Sequence, residues 1–555
     1  MAQSDWWRGA VIYQIYPRSF FDSNGDGIGD LAGVTAKLGY VARLGVDAIW
    51  LCPFFSSPQK DFGYDVSDHL QVDPLFGTLD DFDRLLDCAH GLGLKVLIDQ
   101  VWSHTSDRHA WFLESRTNRT NPRADWYVWA DPAPDGTPPN NWMSVFGGPA
   151  WTWEPRRRQY YMHHFLSHQP ALNLHNSAVM EALLESGEFW LRRGVDGFRL
   201  DALDFMLHDR DLRSNPAAGW PAELPPKLFG LQHHVHDMLQ PEMPGLLTRI
   251  RGLMDRFPGT VTMGEVSSQP DAFGRIVTYT SGNERLHMAY TLRPLRGSFD
   301  WPTVSGLVEE LGVTQESGWP CWSFSNHDVE RAVSRWNPRR GEAPPDPAFA
   351  RLLMALLLSL RGSVSLYQGE ELGLTEAELA MEHLRDPFGI AFWPEFRGRD
   401  GSRTPMPWEA EAPFAGFTNA PEPWLPLPEP HRAFAVDRLE QDHDGLLHTF
   451  RRFLVWRRSR PALLYGTLIR LNLPEPLIGF IREHDNERIL AAFNLSGEPA
   501  SLLLDQFGPT RVIAESGFGA SVENGQAVLP AHGAMFAALD PIWATLQEPA
   551  LAAAE

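Results

Sequence analysis

At 555 residues the chain exceeds one ordinary domain, although a (β/α) barrel alone takes about 250 residues or more. Lys and Arg number 48 against 70 Asp and Glu, and the net charge of -22 excludes nucleic acid and anionic membranes as partners, since both reward positive charge. Cys52, Cys88 and Cys321 are odd in number and far apart, which excludes a disulfide framework and a zinc cluster.

The N-terminus, Met1 to Trp7, lacks a basic start followed by an apolar stretch, so no signal peptide is expected. Strands are predicted at Ala10–Tyr16, Val46–Pro53, Lys95–Val101, Val195–Ala202, Val261–Val266, Leu286–Leu292, Pro320–Ser325 and Val364–Gln368. Helical periods such as Leu79–Leu92 and Glu181–Arg193 separate many of them. Such alternation predicts a parallel sheet, and eight units close a TIM barrel. A doubly wound sheet is the competing architecture, but it gives no reason for acids to gather on one face.

The stretch from His104 to about Pro170 is rich in Trp, Tyr, Pro, Gly and Asn, and its length predicts a subdomain beside the active-site face. Residues 209–244, rich in Pro and His, read as a second loop excursion. The most apolar helix, Leu352 to Leu360, stops at Arg361 and is too short to span a bilayer. With no leader and no span, a cytoplasmic protein is expected. After the amphipathic helix Leu446–Arg458, short runs at Leu468–Leu471, Ile478–Arg482, Ile489–Phe493 and Ala534–Ala538 suggest an antiparallel β-domain. The expected organisation is an α/β chain: barrel in 1–104 and 172–464, inserted loop-rich subdomain in 105–171, C-terminal β-domain in 465–555.

Three acids stand where predicted strands finish: Asp201 in Gly197-Phe198-Arg199-Leu200-Asp201, Glu265 in Gly264-Glu265-Val266, and Asp328 in Asn326-His327-Asp328. Strand ends hold side chains rigidly at one shared face. Arg199, two residues before Asp201, points to the same side and is expected to hold it ionised. Two carboxyl groups in different environments suit the nucleophile and acid of a glycoside-cleaving pair. Near the N-terminus, Asp22 to Asp30 alternates oxygen ligands in a Gly-rich run that suits Ca²⁺, or Mg²⁺ with retained waters. Gly33 replaces the Glu that an EF-hand would need at position twelve, and an Asx-rich turn without metal is the alternative.

Taken together, these residues resemble the α-amylase family of glycoside hydrolases (family 13), in its α-glucosidase and oligo-1,6-glucosidase branch. To the three acidic stretches the resemblance adds Asp99-Gln100-Val101-Trp102-Ser103-His104, Asp61-Phe62-Gly63-Tyr64-Asp65, Gln169-Pro170-Ala171-Leu172-Asn173 and Arg403-Thr404-Pro405-Met406-Pro407-Trp408, in family order. It is weakest after about residue 465. It implies Asp201 as nucleophile, Glu265 as acid and then base, and Asp328 as the third acid, with His104 and His327 on ring hydroxyls. It also implies a glucose subsite from Asp61, Tyr64, Phe146 and Phe165, with either Arg399 or Arg403 gripping the far hydroxyls. The implied structural cation would lie on Asp22, Asn24, Asp26, the Ile28 carbonyl and Asp30, with no organic cofactor.

Ser103 and Ala171 depart from the family's commonest wording, and Ala202 follows the nucleophile where oligo-1,6-glucosidases carry Val. The smaller side chain favours α-1,4 substrates such as maltose, and sucrose with them. The expected activity is therefore a retaining, exo-acting α-glucosidase with some transglucosylation, working on small oligosaccharides as a monomer or homodimer. The alternatives are an α-1,6-specific enzyme, a transglucosylase or sucrose isomerase, and an inactive α-amylase-like binding protein. Val329 to Arg335 lacks the paired Arg–Asp pattern of isomerases, and an inactive relative would lack an acid and carry a membrane anchor.

Overall fold

The computed structural model describes residues 5–220, 227–267, 271–314 and 317–540; the start of the chain and its last fifteen residues lie outside them. Eight strands form one sheet: β1 (Val11–Ile15), β2 (Ala48–Leu51), β3 (Lys95–Gln100), β4 (Gly197–Leu200), β5 (Val261–Val266), β6 (Met288–Thr291), β7 (Cys321–Trp322) and β8 (Ser363–Tyr367). Their order is β6-β5-β4-β3-β2-β1-β8-β7, with every pairing parallel. A parallel bridge from Ala289 to Pro320 joins the two edges, so the sheet curls into a nearly closed barrel and not a doubly wound sheet.

Side-chain alternation separates two cores. From β1, Ile12 turns inward with Trp50, Leu97, Met263 and Cys321, while Val11, Tyr13 and Ile15 join the larger core under the helices. Helix α1 (Leu31–Leu44) begins where Asp30 accepts from the Gly33 N–H at 2.7 Å. It ends at Gly45, whose φ of 90° needs a residue without Cβ. The expected helix over 79–92 is Leu79–Gly91, started by a Thr78/Asp81 capping box.

The chain leaves the barrel after His104 and returns beside it, since His104 bridges Ala171 and Tyr127 bridges Leu172. Between them lies a three-stranded antiparallel sheet of Trp129–Ala130, Gln159–Met162 and Trp151–Glu154. The excursion after β4 docks on this insertion: Asn140, Asn141 and Trp142 donate to the carbonyls of Leu212, Asn215 and Arg213 at 2.8–2.9 Å.

Beyond helix Leu446–Arg458 stand a five-stranded sheet and a three-stranded sheet, both antiparallel. The four runs expected there fall in the larger sheet. Ala500–Leu503, Thr510–Val512, Ser521–Glu523 and Gln526–Leu529 were not anticipated, because these short strands are largely exposed and offer little apolar alternation. Arg482, fully buried, ties this region to the barrel by donating to the carbonyls of Ser359 (2.7 Å), Leu360 (3.0 Å), Gly466 (2.9 Å) and Thr467 (3.2 Å). Burial, with Arg457 and Arg361 adding to it, pushes its pKa well below the usual arginine range, and among the described residues backbone carbonyls hold the charge. Replacing Arg482 by Met is therefore expected to cost about 2–4 kcal/mol through stranded carbonyls. A urea melt checks this, and an unchanged midpoint would assign the junction's stability to apolar packing alone.

Candidate active site

The inward-facing positions of β3, β4, β5 and β6 build one floor. Register sets Asp99 beside Arg199, Arg199 beside Met263, and Glu265 beside Tyr290. Asp201 and Glu265 lie one pleat period beyond Arg199 and Met263, so all project to the same side. Strand β4 is shorter than expected, and Asp201 already sits in the turn after it. Ala202 follows at φ 44°, a sparsely populated conformation for a residue with a Cβ. That kink is pinned by the Asp201 N–H donating to the Gln100 carbonyl at 3.0 Å and the Ala202 N–H donating to Glu265 Oε2 at 3.4 Å.

One guanidinium serves the whole floor. Arg199 donates to Asp99 Oδ1 at 2.8 Å, to Asp201 Oδ1 at 2.6 Å, to Glu265 Oε2, and to the Tyr290 hydroxyl at 2.6 Å. Its charge is thus divided among three carboxylates. Burial, with Glu265, Asp99 and Asp328 nearby, pushes the Asp201 carboxyl well above the usual range against the pull of Arg199. Burial likewise raises Asp99 to about 6.

The third acid has the opposite balance. Asp328 is only partly buried, and His327, Arg399 and Arg403 outweigh its desolvation and hold it below the usual carboxylate range. Arg399 donates to Asp328 at 3.2 Å and Arg403 at 2.9 Å. Burial pushes both His104 and His327 down to about 3, so both rings are neutral near pH 7. A hydrogen-bond chain runs from Gln14 to His327 Nδ1 (2.8 Å), from His327 Nε2 to the Tyr64 hydroxyl (2.7 Å), and from that hydroxyl to Asp99 (3.0 Å). The Tyr64 ring stacks on His327 with centroids 5.3 Å apart.

Above this floor opens a cavity of about 1610 Å³, larger than the ~300–1,000 Å³ usual for a small-molecule site. Asp61, Tyr64, His104, Phe146, Phe165, Asp201, Glu265, Asp328 and Arg399 all line it. Arg199, His327 and Arg403 stand just behind the lining; Arg403 reaches the His327 carbonyl at 2.6 Å. At one end Arg399 bonds Asp61 at 2.7 Å and Asp386 at 2.7 Å, and its guanidinium lies 5.2 Å from the Phe146 ring centre.

A model of the α-amylase catalytic domain matches residues 14–466. The chain belongs to the α-amylase family. Over 546 residues it is 52% identical to a probable α-glucosidase of Rhizobium meliloti (strain 1021), covering 96% of this chain and 97% of that one. An oligo-1,6-glucosidase of Heyndrickxia coagulans is 36% identical, covering 90% and 93% of the two chains. Among solved structures, the α-glucosyl transfer enzyme XgtA superposes with a TM-score of 0.92 at 54% identity, covering 96% of this chain and 99% of that one.

Within this α-amylase-family site, sequence reasoning passed over four residues. Asp99 and Gln169 stood inside quoted motifs without a role; Gln169 donates to Asp61 at 3.0 Å. Tyr290 and Asp386 carried no local signal, because partners far along the chain give them their place. In the loop between β1 and α1, the expected cation site is closed by its own bonds. Asp22 accepts from the N–H groups of Asn24, Gly25 and Gly27 and from Thr418, Asn24 from Asp26, Asp26 from Ile28, and Asp30 from Ser23 and Gly33. Among the described residues, no three acidic, His or Cys side chains gather to hold a metal ion.

Arg199→Gln would leave Asp99, Asp201 and Glu265 without their shared counter-charge, raising the folded-state pKa values of Asp99 and Asp201 further. Groups raised in the folded state stabilise it at low pH and lose that effect as pH rises through the folded pKa. The variant's melting temperature is therefore expected to fall more steeply than wild type's between pH 5 and 8. Parallel curves would show that Arg199 is not the shared counter-charge.

Proposed function

We propose that the protein is a retaining, exo-acting α-glucosidase that frees α-glucose from the non-reducing end of short α-glucosides. Maltose comes first, with sucrose also accepted. The observation carrying this reading is that Asp201 and Glu265 bond the two amino groups of a single guanidinium at the floor of the cavity. Sharing one guanidinium draws the two carboxyl groups together, which favours a retaining pair over an inverting one, whose carboxyl groups stand ~6.5–9.5 Å apart.

In this reading, Asp201 forms a bond to the anomeric carbon as the glycosidic C–O bond breaks and Glu265 gives its proton to the leaving oxygen. Glu265 then takes a proton from water, whose oxygen displaces the Asp201 ester and restores both groups. The retaining chemistry requires Asp201 to be ionised and the proton to reside on Glu265 once substrate is seated. Asp328, held ionised, suits two hydroxyls of the distorted ring; His104 lines the cavity, while His327 acts from behind it through the Tyr64 hydroxyl. The Asp61–Arg399 pair closes the far end, which supports exo action.

Ala202, small and lining the cavity beside Asp201, supports α-1,4 over α-1,6 linkage. Apolar lining from Val145, Phe205, Phe229 and Met238 supports transfer to an acceptor at high sugar concentration, since it excludes competing water. The isomerase alternative has less support: Arg331 is spent on the carbonyls of Gln368 and Ser402, and Arg335 on those of Glu330 and Phe324. A cytoplasmic location fits three free cysteines. Among the described residues, no helix is long and apolar enough to cross a membrane.

A structural Ca²⁺ or Mg²⁺ on Asp22, Asn24, Asp26, the Ile28 carbonyl and Asp30 belongs to the same proposal. The donors are hard oxygens, and a carboxylate oxygen that accepts an N–H keeps a further lone pair. Chelation is expected to lower the melting temperature, with recovery on adding Ca²⁺; an unmoved melt would leave the Asx turns as the loop's sole support.

Product analysis on equal maltose, isomaltose and sucrose, beside Asp201→Ala, tests the activity. The expected outcome is α-anomeric glucose chiefly from maltose, falling at least 10³-fold in the variant. Preference for isomaltose would overturn the Ala202 argument, and β-glucose would overturn retention.

A further inference from the structure

Three loops from separate parts of the chain meet in one aromatic cluster beside the Asp61–Arg399 end of the cavity. Phe146, from the insertion, lies 4.5 Å from Phe388 of the loop after β8, and Phe388 lies 4.8 Å from Phe396 of the same loop. Arg399 covers the Phe146 side. The opposite side is covered by Lys227 of the excursion after β4, whose Nζ stands 3.7 Å from the Phe388 centroid and 4.1 Å from that of Phe396. Among the described residues Lys227 forms no ion pair with a carboxylate, so the two rings are its counterpart. Elsewhere the excursion is bonded to the insertion, and this contact carries it across the mouth to the far wall.

We propose that Lys227 is a positioning residue, whose ammonium clasps the excursion to Phe388 and Phe396 and so holds the Phe146–Phe388 wall over a seated glucosyl group. A cation–π contact of this kind is weak enough to open and close within each turnover. It needs the charged form of the lysine. Burial, with Arg296 and Arg399 adding to it and Asp386 and Asp328 opposing, brings Lys227 down to about 7. Glu395 and Arg397 line the cavity on the same loop as the two rings. The ammonium is present below that pH and lost above it, so the clasp holds in mildly acidic solution and loosens in alkaline solution.

The inference rests on the α-glucosidase reading, and steady-state kinetics on maltose at about pH 6 and pH 8 test it in wild type, Lys227→Met and Lys227→Arg. At pH 6 the Met variant is expected to raise KM about five-fold, equivalent to ~1 kcal/mol, with kcat changed less than two-fold. Wild-type KM should climb toward that of the Met variant at pH 8, while the Arg variant, charged at both pH values, keeps a low KM throughout. A Met variant with wild-type KM at pH 6 would overturn the proposal, as would wild-type and Arg-variant KM rising in parallel with pH. The second comparison stands even where the Met variant fails to fold. A wild type that releases no glucose from any α-glucoside would instead sink the activity reading.

Discussion

The division of one buried positive charge among three carboxylates governs this site. Arg199 is fully buried against Trp50 and Tyr290 and contacts Asp99, Asp201 and Glu265 at once. A buried ion pair barely recovers its desolvation cost when charges match one to one. Three acids on one cation cannot all remain ionised, so the floor must take up protons as it folds. The upward shifts of Asp99 and Asp201 express that deficit. A proton held among close carboxyl groups is also what the first chemical step of a retaining glycosidase consumes.

Across the cavity the ratio changes. Asp61, Asp328 and Asp386 share two arginines, Arg399 and Arg403. Burial pushes Asp328 and Asp386 upward, yet the guanidiniums outweigh it, and Asp386 lies at about 2. One half of the cavity thus favours protonated carboxyl groups, while in the other Asp328 and Asp386 keep negative charge and burial shifts only Asp61 upward. Environments that push titratable groups apart separate acid–base work from charge stabilisation. The two neutral histidines fit between these halves, since imidazolium at either position would take over the role of an arginine.

Much of this was legible in the sequence, for a definite reason. Barrel strands alternate with period two and end in loops, so eight apolar runs, three terminal acids and the Arg199–Asp201 spacing are all local patterns. Helix Leu446–Arg458 was readable to the residue for the same reason. What stayed hidden depends on pairing between distant segments. Tyr290 reaches Arg199 across two strands, and Asp386 reaches Arg399 by a loop turning back on itself. No spacing in the sequence records that Arg199 also reaches Asp99, Glu265 and Tyr290. The exposed strands of the smaller C-terminal sheet lack the apolar alternation that would have announced them.

This contrast separates the constant part of the site from the adjustable part. Glu265 sits on β5 and Asp201 in the turn directly after β4, where the register of a nearly closed sheet fixes them and a shift of one residue would turn every side chain to the other face. The walls come from the insertion, the excursion after β4 and the loops after β7 and β8, which meet through single side chains such as Phe146, Lys227 and Arg399. A substitution in the floor disturbs a shared charge and reaches every group bonded to Arg199. One in the walls alters a single contact of about 1 kcal/mol, enough to change a KM or an acceptor without touching the bond-breaking step. In the α-glucosidase reading, the balance of water against sugar as acceptor is therefore set by the walls, while the retaining chemistry, and through Ala202 the linkage preference, is set by the floor.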